Sequence, residues 1–353
     1  MPGRRIPLAL AALTLLLPSA CAQKPDKAGA CLTGVLEFEH HNAEAGPKKP
    51  LVTSVARKAD WELWSGTTSL ATGTTGGDGA FRACGDEQSY ADMRLTFESA
   101  AGDLWEVVTD RTKRGRYSFD SPEAADVAGD RDLGTVEVPK EMASAWHVVD
   151  TLGLLYAKRA NGSECWTRRC EALTVVWGPA ESKDAGYFDQ GRTDAVILAG
   201  DMPDSEHLVL HEAGHWFQWQ LFGHWLPEAP DCQVHFVEVR SSPGCAWVEG
   251  FPDAVAAYTL GDHRFVHENG DSVPIEPDAG WDKGDAVQGR VAGALLDLWA
   301  GPDGGTWNAT IELMARERSA TFDEYFRVDR PTAKPPLSTT GEAAEIVARW
   351  GLS

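Results

Sequence analysis

The chain of 353 residues contains one short pattern that could do chemistry, His211-Glu212-Ala213-Gly214-His215. Two histidines four residues apart lie on one face of a helix, so both imidazoles could bind one metal ion. Glu212 would then lie beside the metal's open position, where a general base is needed. The pattern therefore predicts a zinc site, although a surface helix with two unrelated histidines would match it equally well.

The flanking residues predict that this pattern lies in a long, mostly apolar helix. Asp204 or Ser205 could cap its N-terminus, residues 208–210 are apolar, and Gly223 would end it. Two histidines in a buried helix need polar partners, because unpaired buried polar groups are costly. A shared metal ion would satisfy both histidines, which argues against the surface-helix interpretation.

A catalytic zinc site needs a third protein ligand. Six residues after His215 the chain has Leu221, which excludes a third histidine there, and His224 comes three residues later. Glu249 and Asp253 are four residues apart in an apolar segment and share one helical face. Glu249 could bind the metal while Asp253 accepts the second ring N–H of a ligand histidine. Two solvated acids on a helix surface are the alternative.

The pattern H-E-A-G-H, followed by W-V-E-G-F-P-D-A, resembles the gluzincins, zinc metallopeptidases whose third ligand is a glutamate on a second helix. The resemblance covers roughly residues 140–300, and the thermolysin pattern is not present in full. It implies one catalytic Zn²⁺ and a peptide or protein substrate, hydrolysed through a zinc-bound water. The implied site residues are the ligands His211, His215 and Glu249, the general base Glu212, and Asp253 as the partner of a ligand histidine.

Gluzincins usually add a tyrosine or histidine that holds the oxyanion. Spacing does not choose among the candidates in this chain, and Tyr258 could equally face the core. The candidates are Tyr258, Tyr187, His224, His263 and His267.

Three functions remain open on these residues. The first is a zinc peptidase of the bacterial cell envelope. The second is a catalytically silent zincin-fold lipoprotein that acts as a binding or docking module, and the third is a zinc hydrolase of non-peptide amides. The intact Glu212 favours an enzyme, because a silent protein has no need of the base.

The N-terminus predicts export. Residues 1–20 have the basic start and short apolar run of a signal peptide, and residues 21–30 would form a tether. Leu17-Pro18-Ser19-Ala20-Cys21 resembles a bacterial lipobox, with Pro18 as a departure, so Cys21 would carry the lipid. The expected location is a membrane-anchored lipoprotein in the periplasm or at the cell surface. Cleavage after Ala22, giving a soluble secreted protein, is the alternative.

The cysteines also suit an oxidising compartment. Without Cys21, six of the seven remain, and they form pairs close in sequence. The last pair would close an insert that carries His235 between the two metal-binding helices; this histidine could contact substrate or be a solvated strand residue. The predicted disulfides are Cys31–Cys84, Cys165–Cys170 and Cys232–Cys245.

The net charge of −21 argues against nucleic acid and against anionic membrane surfaces as partners. We expect a monomer that contacts the membrane through its lipid only.

The predicted fold class is multidomain, an N-terminal all-β sandwich over residues 31–138 followed by an α+β zincin-like metallopeptidase domain over residues 139–353. The sandwich would include strands at residues 32–38, 61–64 and 104–109. The order G-x-L, x-E-L-W and T-T-G-G-D-G-A-F resembles carboxypeptidase regulatory-like, transthyretin-like modules. This resemblance leaves the role of the β-module open.

Overall fold

Short strands with alternating buried and exposed residues form the first part of the protein. The computed structural model describes residues 29–111, 115–159, 171–178, 186–233, 235–277 and 280–352. The strands of the first part are β1 Cys31–His41, β2 Leu51–Val55, β3 Asp60–Ser65, β4 Thr68–Thr74, β5 Ala80–Cys84, β6 Ser89–Glu98, β7 Ala100–Ala101, β8 Trp105–Val108, β9 Ser118–Asp120, β10 Ala124–Ala128 and β11 Asp130–Glu137.

Helices dominate the second part, so the protein has a β-rich region followed by a mixed α/β region. Its elements are α1 Ala143–Lys158, β12 Leu173–Gly178, β13 Tyr187–Phe188, β14 Val196–Ala199, α2 Glu206–Leu221, α3 Pro243–Leu260, β15 Arg264–Val266, β16 Ser272–Pro274, α4 Gln288–Ala300, α5 Asn308–Met314, α6 Phe322–Glu324 and α7 Glu342–Arg349. Shorter turns of 3₁₀ or π helix are Ala43–Ala45, Lys140–Met142, Met202–Asp204, Tyr325–Asp329 and Arg330–Thr332.

Two sheets build the β-rich region. In the first, the long strand β1 lies between β11, which is parallel to it, and the antiparallel strands β2 and β5. In the second, the order is β10-β6-β3-β4, and β9 also pairs with β6. Cys31 and Cys84 are direct partners on β1 and β5, and their disulfide joins these strands. Leu36, Leu63 and Phe97 are fully buried in the core that the sheets share.

One predicted strand of the sandwich belongs elsewhere. The sequence places residues 104–109 in the β-sandwich, but β8 pairs in parallel with β12. The resulting sheet has the order β13-β14-β12-β8-β7. Three of the four residues of β8 are buried, because α1 covers this strand and Trp105 donates to the Val149 carbonyl at 3.1 Å. A strand buried in this way suits the interior of an α/β sheet better than the wall of a sandwich. The β-rich region therefore contributes strands to the second part.

The helix α2 follows the predicted course. Ser205 caps it, with its hydroxyl accepting from the Leu208 N–H at 3.2 Å, and fifteen of its sixteen residues are buried. It packs against α3, which in turn packs against α4. A side chain at Gly214 would lie 2.8 Å from the Cα of Pro252, and one at Gly250 would lie 2.7 Å from the carbonyl oxygen of Gln288. Glycine at these two positions allows the three helices to approach closely.

The β-rich region also contacts the first turn of α2. Glu44 accepts from the backbone N–H of His207 at 3.1 Å, and its Oε1 lies 3.2 Å from the ring Nδ1 of the same residue. Lys49 donates to Asp204 at 2.8 Å, and Arg57 donates to the buried Asp150 on α1 at 2.7 Å. A carboxylate at a helix N-terminus satisfies free N–H groups and interacts favourably with the helix dipole. Glu44 thus stabilises α2 from outside the helix.

Replacing Glu44 with Ala should lower the free energy of unfolding by about 1 kcal/mol, the usual effect of losing a carboxylate or hydroxyl cap. Burial acts to raise the pKa of Glu44, but its hydrogen bond and attraction to His207 outweigh burial and hold the pKa below 4.5. The carboxylate's contribution is therefore complete above pH 4.5 and disappears as the pH falls through the lowered value. Urea unfolding at pH 7 and pH 3, with the exposed Glu123→Ala as control, measures this difference. A Glu44→Ala effect that is equal at both pH values would contradict the assignment.

Candidate metal centre

Three side chains from α2 and α3 meet at one point. The Nε2 atoms of His211 and His215 are 3.2 Å apart, as expected for residues one turn apart on α2. From α3, Oε2 of Glu249 lies 3.3 Å from Nε2 of His211 and 3.2 Å from Nε2 of His215. All three residues are buried. Because Gly214 allows α3 to pack closely against α2, Glu249 reaches His211 and His215.

These distances fit a tetrahedral metal ion. Zinc binds nitrogen and oxygen ligands at about 2.0–2.1 Å, so two ligands on a tetrahedral ion are about 3.3 Å apart. The three measured separations are 3.2, 3.3 and 3.2 Å. Oε2 of Glu249 is buried and receives no well-formed hydrogen bond from the described residues. A metal cation between this carboxylate oxygen and the two imidazole nitrogens would stabilise the buried arrangement. The donor set therefore fits Zn²⁺.

Asp253 orients the first histidine. Its Oδ1 lies 2.7 Å from Nδ1 of His211, and its Oδ2 accepts from the side-chain amide of Gln288 on α4 at 3.1 Å. Because a carboxylate accepts, Nδ1 donates to Asp253, and Nε2 is the nitrogen left to bind a metal ion. A carboxylate behind a ligand histidine fixes both the tautomer and the orientation of the ring.

Neighbouring charges shift the pKa values of two of the three ligands. Burial alone would lower the pKa of His211, but the adjacent Asp253 carboxylate raises it well above 6.5. Burial would raise the pKa of Glu249, but the neighbouring His215 and His211 hold it well below 4.5. Glu249 is therefore a carboxylate at neutral pH, the form that binds a metal.

Glu212 lies beside the ligands and is also buried. Burial, as the largest influence, raises its pKa above 4.5, although His211 and His215 act in the opposite direction. Its Oε2 has no hydrogen-bond partner among the residues that the structure describes. A side chain at Gly186 would lie 3.2 Å from Oε1 of Glu212, so the backbone next to β13 closely approaches this carboxylate. A buried carboxyl group with a raised pKa is well suited to exchange a proton near neutral pH.

A cleft of about 960 Å³ opens onto Glu212 and the three ligands. The edge strand β13 forms one wall, and the segment after Cys232 forms another. Apolar residues also line the cleft, namely Leu208, Leu226, Phe236, Val248 and Phe265.

The oxyanion candidates separate into two groups. Tyr187 and His267 line the cleft. Tyr258 and His224 are not among the lining residues, which makes them poor candidates. The ring of Tyr258 packs against Trp299 and Trp307, with centroids 5.4 and 4.9 Å away. His224 stacks on Trp219 and lies 2.7 Å from a carboxylate oxygen of Glu171. His263 is also absent from the lining residues.

His235 is the residue at this centre whose position differs most from expectation. The sequence leaves a substrate contact or a solvated strand residue open; the described part of the insert is a loop and not a strand, and His235 lines the cleft. Its Nε2 lies 3.2 Å from Oε2 of Glu249. The disulfide Cys232–Cys245 was the available signal, because Cys245 precedes Glu249 by one helical turn and His235 follows Cys232 by three residues.

Several predictions concern residues outside the described ranges. These are the signal peptide, the lipidated Cys21, most of the tether and the pair Cys165–Cys170. Within the described ranges, no helix combines the length and the apolar character needed to cross a membrane.

Comparison of the sequence with protein families gives two matches. Residues 31–145 match the model of the mycolysin middle domain, and residues 159–351 match the model of the mycolysin C-terminal domain. The first match covers the region that resembles carboxypeptidase regulatory-like modules, and the second contains His211, His215 and Glu249. The comparison with curated proteins finds no match. The second match spans more than half of the chain, and the chain therefore belongs to the mycolysin family of peptidases.

Proposed function

We propose that this protein is a zinc-dependent peptidase that hydrolyses peptide bonds with Glu212 as general base. The observation that carries the proposal is the meeting of His211, His215 and Glu249 at tetrahedral separations beside a buried glutamate. Membership of the mycolysin family supports peptide hydrolysis over hydrolysis of other amides. The arrangement resembles that expected of the gluzincins, in which the third ligand is a glutamate on a second helix.

Zinc, when bound, would lower the pKa of water toward 7 and polarise a carbonyl group. The protein's own residues would do the rest. Glu212 would accept the proton of the attacking water and later deliver it to the leaving amine. Asp253 would hold His211 in the tautomer that binds the metal, and Glu249 would complete the ligand set.

The edge strand β13 is well placed to hold the substrate. It pairs antiparallel with β14 through Tyr187 and Phe188, and both residues line the cleft. An extended peptide could add through main-chain hydrogen bonds to the side of β13 that carries no strand among the described residues. Tyr187 lines the same wall and remains the oxyanion candidate that the geometry favours over Tyr258 and His224.

We further propose that the protein is exported and anchored by a lipid on Cys21. The disulfides Cys31–Cys84 and Cys232–Cys245 support an oxidising compartment, and mycolysin-like proteins are secreted. Labelling of expressing cells with a fatty acid should mark the wild-type protein and leave Cys21→Ser unmarked. An unlabelled wild-type protein in the culture medium would instead support cleavage after Ala22.

Metal analysis and casein cleavage test the peptidase proposal together. The purified full-length protein should contain about one zinc ion per chain, since the site provides one set of three ligands plus an open position. It should cleave casein, lose this activity on treatment with a chelator, and recover it when zinc is added. A zinc-loaded protein that leaves casein and a mixed peptide library intact would contradict the proposal.

A further inference from the structure

A third imidazole approaches the centre from the cleft. Nε2 of His235 lies 3.2 Å from Oε2 of Glu249, the same oxygen atom that lies 3.3 and 3.2 Å from the two histidines of α2. The three ligand atoms of His211, His215 and Glu249 all lie within 4.8 Å of one another, and His235 is not part of that set. About a third of its side chain is exposed, against a tenth or less for the three ligands. His235 therefore lies on the open side of the centre.

The hydrogen bond made by Nδ1 of His235 indicates which ring nitrogen faces the centre. Nδ1 of His235 is 2.9 Å from the carbonyl oxygen of Cys232. A carbonyl only accepts, so Nδ1 carries a proton, and Nε2 is the nitrogen that a metal ion in the centre would bind. His211 is held in the same tautomer by Asp253. A backbone carbonyl or a carboxylate behind the ring is the usual support of a metal-binding histidine.

The loop that carries His235 is held on two sides. The disulfide Cys232–Cys245 ties its start to the first turn of α3, on the same helical face as Glu249. The sulfur of Cys232 is 3.6 Å from Oε1 of Glu249. Further along, the carbonyl of Val237 accepts from the N–H of Gly289 on α4 at 2.9 Å, and a side chain at Gly289 would lie 2.7 Å from that carbonyl. The loop is thus anchored to the helices that build the centre.

We propose that His235 is a fourth, exchangeable ligand of the metal. With a metal ion bound and the cleft empty, its ring would move from its contact with Glu249 into the open position, and it would give up this position to substrate. The inference rests on the proposed zinc site, because a bound metal ion is what would draw the imidazole nitrogens and the carboxylate oxygen to one point. With His235 in place, the metal has four protein ligands, which is the arrangement of a closed structural zinc site. The role of the disulfide is then to keep the exchanging histidine within reach.

Cobalt absorption provides a readout that is independent of catalysis. In full-length protein loaded with Co²⁺, His235→Ala should shift the visible spectrum and weaken the metal affinity about tenfold or more in competition with a chelator, since even supporting residues contribute 10- to 100-fold. Added imidazole should restore the wild-type spectrum of His235→Ala and leave the wild-type spectrum unchanged. His267→Ala, which removes another histidine from the cleft wall, should retain the wild-type affinity and spectrum.

X-ray absorption of the zinc-loaded wild-type protein tests the same inference without a variant, which matters if His235→Ala does not fold. Three imidazole ligands are expected, and two would overturn the inference. An unchanged affinity and spectrum in His235→Ala would overturn it as well, and His235 would then contact Glu249 alone. Either result leaves the proposed function intact if the wild type binds one zinc ion and cleaves casein. A wild-type protein that binds no metal refutes both.

Discussion

Peptide cleavage by the Glu212→Gln variant should fall by about 10²- to 10⁴-fold in kcat, the usual contribution of a general base. The amide has the shape of the carboxylate but cannot accept the proton of the attacking water. KM should change little, because Glu212 is not expected to hold the substrate in its ground state. Since the three ligands are untouched, the variant should still bind one zinc ion per chain. Zinc analysis and steady-state kinetics on a peptide substrate measure both effects.

Glu206→Gln is the matched control for this variant. Glu206 lies in the first turn of the same helix α2, and its side chain is about a quarter exposed. It is not among the residues that line the cleft, so its replacement should leave kcat and KM close to the wild-type values. Equal activity of wild type and Glu212→Gln would remove the general-base assignment, whatever the zinc content.

Substitutions at two residues of α3 should lower the metal affinity by different amounts. Glu249→Ala removes a ligand and should weaken zinc binding by more than about 100-fold, beyond the range seen for supporting residues. Asp253→Asn leaves the ligands in place but weakens the support of His211, so a loss of about 10- to 100-fold is expected. Competition with a chromogenic chelator measures these affinities, and the thermal unfolding of the metal-free proteins checks that each variant folds.

Asp262→Asn serves as control for both variants. Asp262 lies just beyond the end of α3 and pairs with Arg264 at 2.5 Å. Its replacement should leave zinc affinity unchanged. If Glu249→Ala bound zinc as tightly as the control, Glu249 would not be a ligand and the tetrahedral arrangement would lose its physical basis.

The local part of this centre could be predicted from the sequence, because helical periodicity alone puts His211 and His215 on one face. Once Tyr258 is known to lie on α3 with Glu249, the nine residues between them correspond to about 900°, which puts Tyr258 on the opposite face of the helix. The ring is accordingly packed among tryptophans. The relative position of α2 and α3 was not predictable in this way, since it depends on the contact of Gly214 with Pro252.

Strand pairing across a long sequence separation was the least predictable feature. Residues 104–109 read as one more short strand of the β-region, and no local signal links them to residue 173, where β12 begins. The position of His235 was hidden for a similar reason. The cysteine pairing placed His235 between the two metal-binding helices, but its distance from Glu249 also depends on a contact with α4, which does not follow from the residues next to it.

Because β8 comes from the first part of the chain and pairs with β12 in the second part, the two parts depend on each other structurally. Residues 100–108 lie inside the sheet that supports α2, and Glu44 lies at the N-terminus of that helix. The interval between the two family segments falls in the buried helix α1, which packs on both parts, so a cut there would break an element of their shared core. Removal of the first part by proteolysis would take β7 and β8 out of the sheet that supports α2. The fold is therefore incompatible with an activation step in which this part is cleaved off and released.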